Sequence, residues 1–404
     1  MPDFINELKS STYKKEIMDA LQRLVKAMPA YTELSFFVKN ARDHYLSDFR
    51  KTSHDIVVIG SGIPNELVYA AKKFCWVLGG SRVSSMWADD VVPRDTDPVS
   101  RSSLGYMKTG FAEHSLILIP LVSDSARKLA YILKSTGLKV HTFHFPPIKD
   151  TSSLVEWERQ YEACRFAIAL HLKKPLTKAL LEKSKGEIQR AKSLIYDFQK
   201  SSEGVINGTV RMFIVNSYYH TNELSEWCDQ LERLTIRIQK EKRVQSNGQN
   251  KVLLLGSPIY FPNYKVPFLI EEAGLEIYMQ ADCTTLSIYG GRLRKQEQKG
   301  NVTSAFYLSD TSPAYVKNNS LYEQVARIVK EKEIDGIVYH VLKGQIEYDF
   351  ELGRFEDLFE KMNIPVFRLE TDYNYQDVEQ LRIRLEAFSE VLTQRKYGKG
   401  TVAI

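Results

Sequence analysis

Cysteine is scarce in this chain: 4 in 404 residues, at Cys75, Cys164, Cys228 and Cys283. No two form a CxxC pair and no histidine stands at ligand spacing, so a zinc site or a disulfide framework lacks its signature. Scattered cysteines of this kind are expected to be small buried residues. Long apolar runs are missing too. None reaches the roughly 18–20 residues that cross a bilayer. The opening MPDFINELKSSTYKKE has no apolar stretch of signal-peptide type, so a soluble cytoplasmic protein is the expectation. Net charge is small, with Lys+Arg 55 against Asp+Glu 50 leaving +5. Basic residues form no patch interleaved with aromatics, so nucleic acid is not an expected partner. The one dense basic stretch, Gln239 to Arg243, reads as the solvated end of a helix beside the loop Ser246-Asn247-Gly248.

Core-forming material is abundant. The chain is 43% hydrophobic and 26% charged, with Tyr 22 and Phe 19, which excludes a disordered or fibrous protein. Its length suggests two or three domains.

The pattern along the chain is α/β. Lys14 to Ala27 and Tyr31 to Phe49 read as helices, making residues 1–50 an N-terminal helical segment. Over residues 51–150, Asp55 to Ile59, Ser115 to Pro120 and Leu138 to Phe143 are apolar runs of the kind expected for strands buried on both faces. Helices are expected at Glu66 to Phe74 and Ser125 to Ser135. Strands alternating with helices predict a parallel sheet with right-handed crossovers.

Residues 151–245 lose the strand pattern and predict long helices at Ser153 to Leu172, Thr177 to Lys200 and Asn222 to Lys242. Over residues 246–404 the strands return at Lys251 to Leu255, Leu275 to Met279, Gly336 to Val341 and Val366 to Leu369. Helices are expected at Lys265 to Ala273, Phe355 to Met362 and Tyr375 to Leu392, ahead of a poorly ordered tail from Gly398. The expected architecture is two α/β lobes with parallel Rossmann-like sheets, joined by a helical connector, with a cleft where strand ends face each other.

Strand Ile56 to Ile59 runs into Gly60-Ser61-Gly62. The third glycine of G-x-G-x-x-G is absent, since position 65 is Asn, and Ser81-Arg82 stands where a ribose-binding acid would be, which argues against a nicotinamide cofactor. The turn serves either as an anion-binding helix entry or as a plain strand–helix turn. Ser61 is no hydrolase nucleophile by motif, because position 59 is Ile rather than Gly. His141 and His144 flank Phe143 as possible ligands or as locally satisfied side chains. Polar clusters Ser123-Asp124-Ser125, Gly256-Ser257-Pro258, Asp282-Cys283-Thr284 and Lys343-Gly344-Gln345 follow predicted strands, where open α/β sheets bind ligands. Each taken alone also suits a helix cap.

Several segments together resemble one family. Pro64-Asn-Glu-Leu-Val-Tyr-Ala-Ala71, Arg101-Ser-Ser-Leu-Gly105, Gly256-Ser-Pro-Ile-Tyr-Phe-Pro-Asn-Tyr264, Ile270-Glu-Glu-Ala-Gly274, Asp282-Cys-Thr284 and His340-Val-Leu-Lys343 are similar, in order and spacing, to the 2-hydroxyacyl-CoA dehydratase and benzoyl-CoA reductase family. Ile364 to Tyr373 with Arg382 to Phe388 resembles its C-terminal signature, so the likeness spans about Ile56 to Leu392. The resemblance implies a subunit of two α/β lobes holding a [4Fe–4S] cluster by three cysteine thiolates, with one iron open to an acyl-CoA thioester. It implies a homodimer, or a heterodimer with a related subunit, and a separate ATP-dependent activator that delivers one electron, in anaerobic metabolism.

The cysteine positions implied by the resemblance carry other residues: Asp97, Ser123 and Gln345. Cys283 lies in a matching segment, but one thiolate does not hold a cubane. Three readings follow. The chain is a cluster-free partner subunit or acyl-CoA-binding homologue; or its cleft has turned to a hard cation or oxygen-rich ligand held by those three residues; or it is an active subunit with ligands from elsewhere. A scaffold that docks a partner and has no small-molecule site is the alternative from another class. By the same resemblance, Ser61 and Glu66 are the candidate reacting groups. Gly60, Gly62, Ser102 and Ser257 are expected at the substrate, and Arg101 and Arg292 at the phosphates of coenzyme A. Ser61 stabilising its turn and Glu66 the first turn of its helix is the plainer account.

Overall fold

The computed structural model describes residues 2–46, 54–240, 248–289, 307 and 310–398. Arg243, Arg292 and the tail beyond Gly398 lie outside them, as does most of the loop at 246–248. Two four-stranded, all-parallel sheets organise the chain. The first holds β1 (Ile56–Ile59), β2 (Phe74–Val77), β3 (Leu116–Pro120) and β4 (Lys139–Phe143) in the order β2-β1-β3-β4. The second holds β5 (Asn250–Gly256), β6 (Leu275–Gln280), β7 (Gly336–Leu342) and β8 (Val366–Thr371) in the equivalent order β6-β5-β7-β8.

Strand composition follows strand position. The central strands Ile56-Val-Val-Ile59 and Gly336-Ile-Val-Tyr-His-Val-Leu342 are buried throughout, as parallel strands covered on both faces must be. Among the edge strands, β4 and β8 keep partly exposed positions and tolerate Lys139 and Arg368, whereas β2 is buried throughout and β6 at all but Glu276.

Fifteen α-helices surround the sheets among the described residues. Helices α1 (Pro2–Ala27) and α2 (Leu34–Leu46) lead into β1; α3 (Asn65–Ala71), α4 (Arg82–Met86), α5 (Pro98–Met107) and α6 (Asp124–Ser135) connect the first sheet. Next come α7 (Thr151–Leu172), α8 (Lys178–Ser202), α9 (Gly208–Asn216), a 3-10 turn at Ser217–His220 and α10 (Leu224–Lys240). The second sheet carries α11 (Lys265–Glu272), α12 (Cys283–Ile288), α13 (Asn319–Glu331), α14 (Ile346–Lys361) and α15 (Val378–Gly398). Side chains of Asp150, Thr177 and Asn207 accept backbone N–H groups at the starts of α7, α8 and α9, which is how the sequence marks these helices.

One predicted element is corrected. The helix expected from Glu66 to Phe74 stops at Ala71, because Lys72 turns left-handed at φ 68°. Phe74-Cys-Trp-Val77 then forms β2 beside β1, a four-residue apolar run too short to betray its period.

Loops at the strand ends bring the two sheets together. A Cβ on Gly80 would stand 2.3 Å from the Phe261 carbonyl oxygen and 2.5 Å from that of Tyr260, so only glycine permits this approach. Gly344, at φ +86°, lies against Asp95 and Asp97. The Tyr373 hydroxyl donates to the Gly79 carbonyl at 2.8 Å. Nearby, the buried Lys265 ammonium donates to Thr371 Oγ1 at 2.6 Å, to the carbonyls of Asp372 at 3.0 Å and Asn374 at 2.5 Å, and to Asp377 at 2.7 Å, locking the segment after β8 onto α11.

Candidate functional site

In each sheet the chain starts at an inner strand, crosses to one side and then to the other. The crevice outside the carboxyl ends of β1 and β3, or of β5 and β7, is therefore a topological switch point. The structure places the two switch points on a single cleft. Gly60, Ser61 and Gly62 follow β1, Ser123 follows β3, Pro258 and Tyr260 follow β5, and Gln345, Glu347 and Tyr348 follow β7; all line it. Its free volume is about 80 Å³, and a wider recess of about 330 Å³ adjoins it across Asp97, Ser100 and Leu129.

The three positions equated with thiolate ligands meet here. Asp97 is 5% exposed and Gln345 7% exposed, and Gln345 Nε2 donates to Asp97 Oδ1 at 2.9 Å across the cleft. Asp97 also caps α5, accepting from the backbone N–H groups of Val99 and Ser100 at 3.1 and 3.0 Å and from the Ser100 hydroxyl at 2.7 Å. Burial raises its pKa, and these hydrogen bonds oppose the rise. Ser123 Oγ accepts from the Ala126 N–H at 3.1 Å as the cap of α6. Gln345 Oε1 is buried and has no partner.

Ser61 Oγ lies 2.9 Å from Thr284 Oγ1, which lies 2.9 Å from the Tyr260 hydroxyl, so three hydroxyls form a chain along one wall. The Gly60 N–H is spent on the Val77 carbonyl at 2.9 Å, and α3, which the turn opens, has only seven residues. Cys283 Sγ is 3.6 Å from the Tyr348 hydroxyl, and burial pushes its pKa up to about 12, keeping it a thiol at neutral pH. The other three cysteines are buried elsewhere. Beside Cys283, Asp282 caps α12 through the Thr285 N–H at 2.8 Å, and burial pushes its pKa up to about 7.

Other predicted site residues are placed away from this wall. Glu66 is buried with a raised pKa, caused first by burial, and faces Tyr161, Lys185 and Lys192 rather than the cleft. Arg101 borders the adjoining recess, paired with Asp89 and donating to the Arg94 carbonyl at 3.0 Å. Ser102 is interior, 2.7 Å from Ser84 Oγ. Ser257 ties β5 to β7 by accepting from the Leu342 N–H at 2.9 Å. His141 and His144 belong to no metal site: among the described residues no three His, Cys, Asp or Glu side chains form one.

Glu347, Tyr348 and Tyr260 escaped the sequence reading. Burial, aided by Asp97 and Asp124, pushes the Glu347 pKa up to about 7. Extending the Lys343-Gly344-Gln345 cluster by one helical turn reaches both Glu347 and Tyr348, and Tyr260 follows Gly256-Ser257-Pro258 by two residues.

Comparison with known proteins agrees with this arrangement. The family model for 2-hydroxyglutaryl-CoA dehydratase, D-component, matches residues 61–392. The chain is 24% identical over 321 residues to the provisionally named dehydratase subunit YjiM of Escherichia coli (strain K12), covering 76% of this chain and 82% of that one. It is 20% identical over 391 residues to the (R)-phenyllactyl-CoA dehydratase beta subunit of Clostridium sporogenes, covering 90% and 98% respectively. A family match over most of the chain, on a fold that assembles the matched segments around one cleft, means that this protein belongs to the family of the 2-hydroxyglutaryl-CoA dehydratase D-component.

Proposed function

We propose that the chain is a subunit of a multi-component acyl-CoA dehydratase-type assembly that holds no [4Fe–4S] cluster of its own and binds the acyl end of a coenzyme A thioester. The observation that carries this reading is the Asp97–Gln345 hydrogen bond. Two positions equated with cluster ligands lie side by side in the cleft, yet they hold a carboxyl and an amide, with Ser123 as the third. Cubane clusters need thiolates. These oxygen and amide donors do not fit one, and Cys283 adds a single buried thiol.

What remains is a binding site. Its lining is polar, with Ser61, Asp97, Ser123, Gln345 and Glu347 between apolar walls from Ile59, Ile119 and Leu129; Tyr260 and Tyr348 are its aromatic members, and free space of about 80 Å³ remains between them. That favours a ligand site over a bare scaffold. Ser61, backed by Thr284 and Tyr260, would hydrogen-bond a thioester carbonyl or a hydroxyl. Both relatives are named as subunits, which supports pairing with a related chain.

The test is to restore the ligands. After anaerobic reconstitution with iron and sulfide, the Asp97→Cys, Ser123→Cys, Gln345→Cys triple variant gains about four irons and a broad band near ~400 nm, and the unsubstituted chain gains neither. A cluster in the unsubstituted chain would overturn the proposal.

A further inference from the structure

Helix α1 lies across the seam between the two sheets and holds both sides through one stripe. Tyr13, Glu16 and Arg23 follow each other at spacings of three and seven, which puts them on one face of the helix. Tyr13 packs on Trp87 and Tyr106, with ring centroids 5.6 and 6.0 Å apart. The Glu16 carboxyl accepts from the Ser81 hydroxyl and from the N–H groups of Arg82 at 2.9 Å and Val83 at 3.3 Å. All of these partners belong to the connections of the first sheet. Two turns on, about 10 Å along the axis, Arg23 reaches the second sheet. Its guanidinium stands 4.0 Å over the Phe268 ring and pairs with Glu272 at 2.6 Å, both on α11.

The hold is applied at the seam itself. Ser81 follows Gly80, whose backbone meets the carbonyls of Tyr260 and Phe261, and the Tyr260 hydroxyl ends the hydroxyl chain on the cleft wall. Tyr375, from the segment after β8, feels the charges of Glu16, Arg23 and Arg82 together. The two anchors are unequal. Glu16 is partly buried and has three donors, whereas the side chains of Arg23 and Glu272 are 45% and 38% exposed, and Glu272 is shared with Arg382 at 2.9 Å. An exposed ion pair is weak and is screened by salt.

We infer that α1 is a strap that holds the two sheets at the spacing of the closed cleft, fixed to the first sheet by Glu16 and releasable from the second at Arg23. Release widens the cleft, and rising salt favours release. The strap lies ahead of residues 61–392, which the family model matches. It governs access to the cleft and is independent of what the cleft binds.

Cys283 reports the opening, because it lines the cleft while Cys75, Cys164 and Cys228 are buried. The full chain is labelled with N-ethylmaleimide, and the rate at each cysteine is read by peptide mass. Arg23→Met removes the guanidinium but keeps an apolar stem over Phe268. It is expected to speed labelling of Cys283 by about three- to tenfold at low salt. Arg23→Lys keeps the charge and should stay within about twofold of the unsubstituted chain. In the unsubstituted chain, Cys283 labels faster as salt rises from ~50 to ~500 mM, and Arg23→Met loses that dependence. An unchanged Cys283 rate in Arg23→Met overturns the inference. So does equal acceleration at the three buried cysteines, which reports a loosening of the whole fold. Neither result bears on the thioester reading, since no coenzyme A ester is present.

Discussion

The Asp97–Gln345 contact joins residues 248 positions apart, and its energy is measurable by a double-mutant cycle. Asp97→Ala removes the cap of α5, worth about 1 kcal/mol. It also strands the Gln345 amide N–H and the Ser100 hydroxyl in the interior, at about 1–3 kcal/mol for an unsatisfied buried group. The expected total is about 3 kcal/mol. Gln345→Ala leaves Asp97 its three other donors and is expected to cost about 1–2 kcal/mol. The double variant, having lost both partners, should fall short of the sum of the singles by about 1–2 kcal/mol. Urea midpoints at constant slope provide the assay. A coupling below about 0.5 kcal/mol would mean that the two side chains do not share a buried hydrogen bond, and the description of the cleft would fail.

Lys265→Met leaves Asp377 and three oxygen acceptors without their cation, and is expected to cost about 3–5 kcal/mol in urea unfolding; a loss under ~1 kcal/mol would refute the buried-lock reading. Gly80→Ala forces a Cβ into the carbonyls of Tyr260 and Phe261 and should destabilise by about 1–3 kcal/mol or more, whereas Gly186→Ala, in open space on α8, should gain about 1 kcal/mol. Glu347 provides a pH test. Its carboxyl stays protonated in the fold up to about 7 but ionises in the unfolded chain above ~4.3, so it costs stability progressively as pH rises through that window and adds no further cost above it. The stability advantage of Glu347→Gln should therefore grow from about pH 4.3 to 7 and then level off, and a difference that is flat with pH would contradict the assignment.

Much of the fold was legible because central parallel strands are apolar runs. Ile56 to Ile59, Leu116 to Pro120 and Val252 to Leu255 could be read as strands without their partners. Phe74 to Val77 could not, since four apolar residues after a helix look like its continuation until β1 is beside them. Helices α4 and α5 were missed for a related reason: their serines pack inward, so no apolar stripe shows, and Ser84 and Ser102 satisfy each other. At the site, the resemblance brought Asp97, Ser123 and Gln345 to one cleft. Glu66 was legible as an acid in a first helical turn, but its direction depends on α7 and α8 packing behind α3, which no local pattern encodes. Glu347 lay two residues beyond a cluster that was seen, and its significance comes from Asp97, far away in sequence.

The central claim is that the cleft has exchanged thiolates for oxygen and amide donors and so holds no cluster. The most direct test is iron and acid-labile sulfide per chain, with the visible spectrum, on protein purified without oxygen. The account predicts well under ~1 iron per chain and no band near ~400 nm. About four irons with matching sulfide and that band would contradict it.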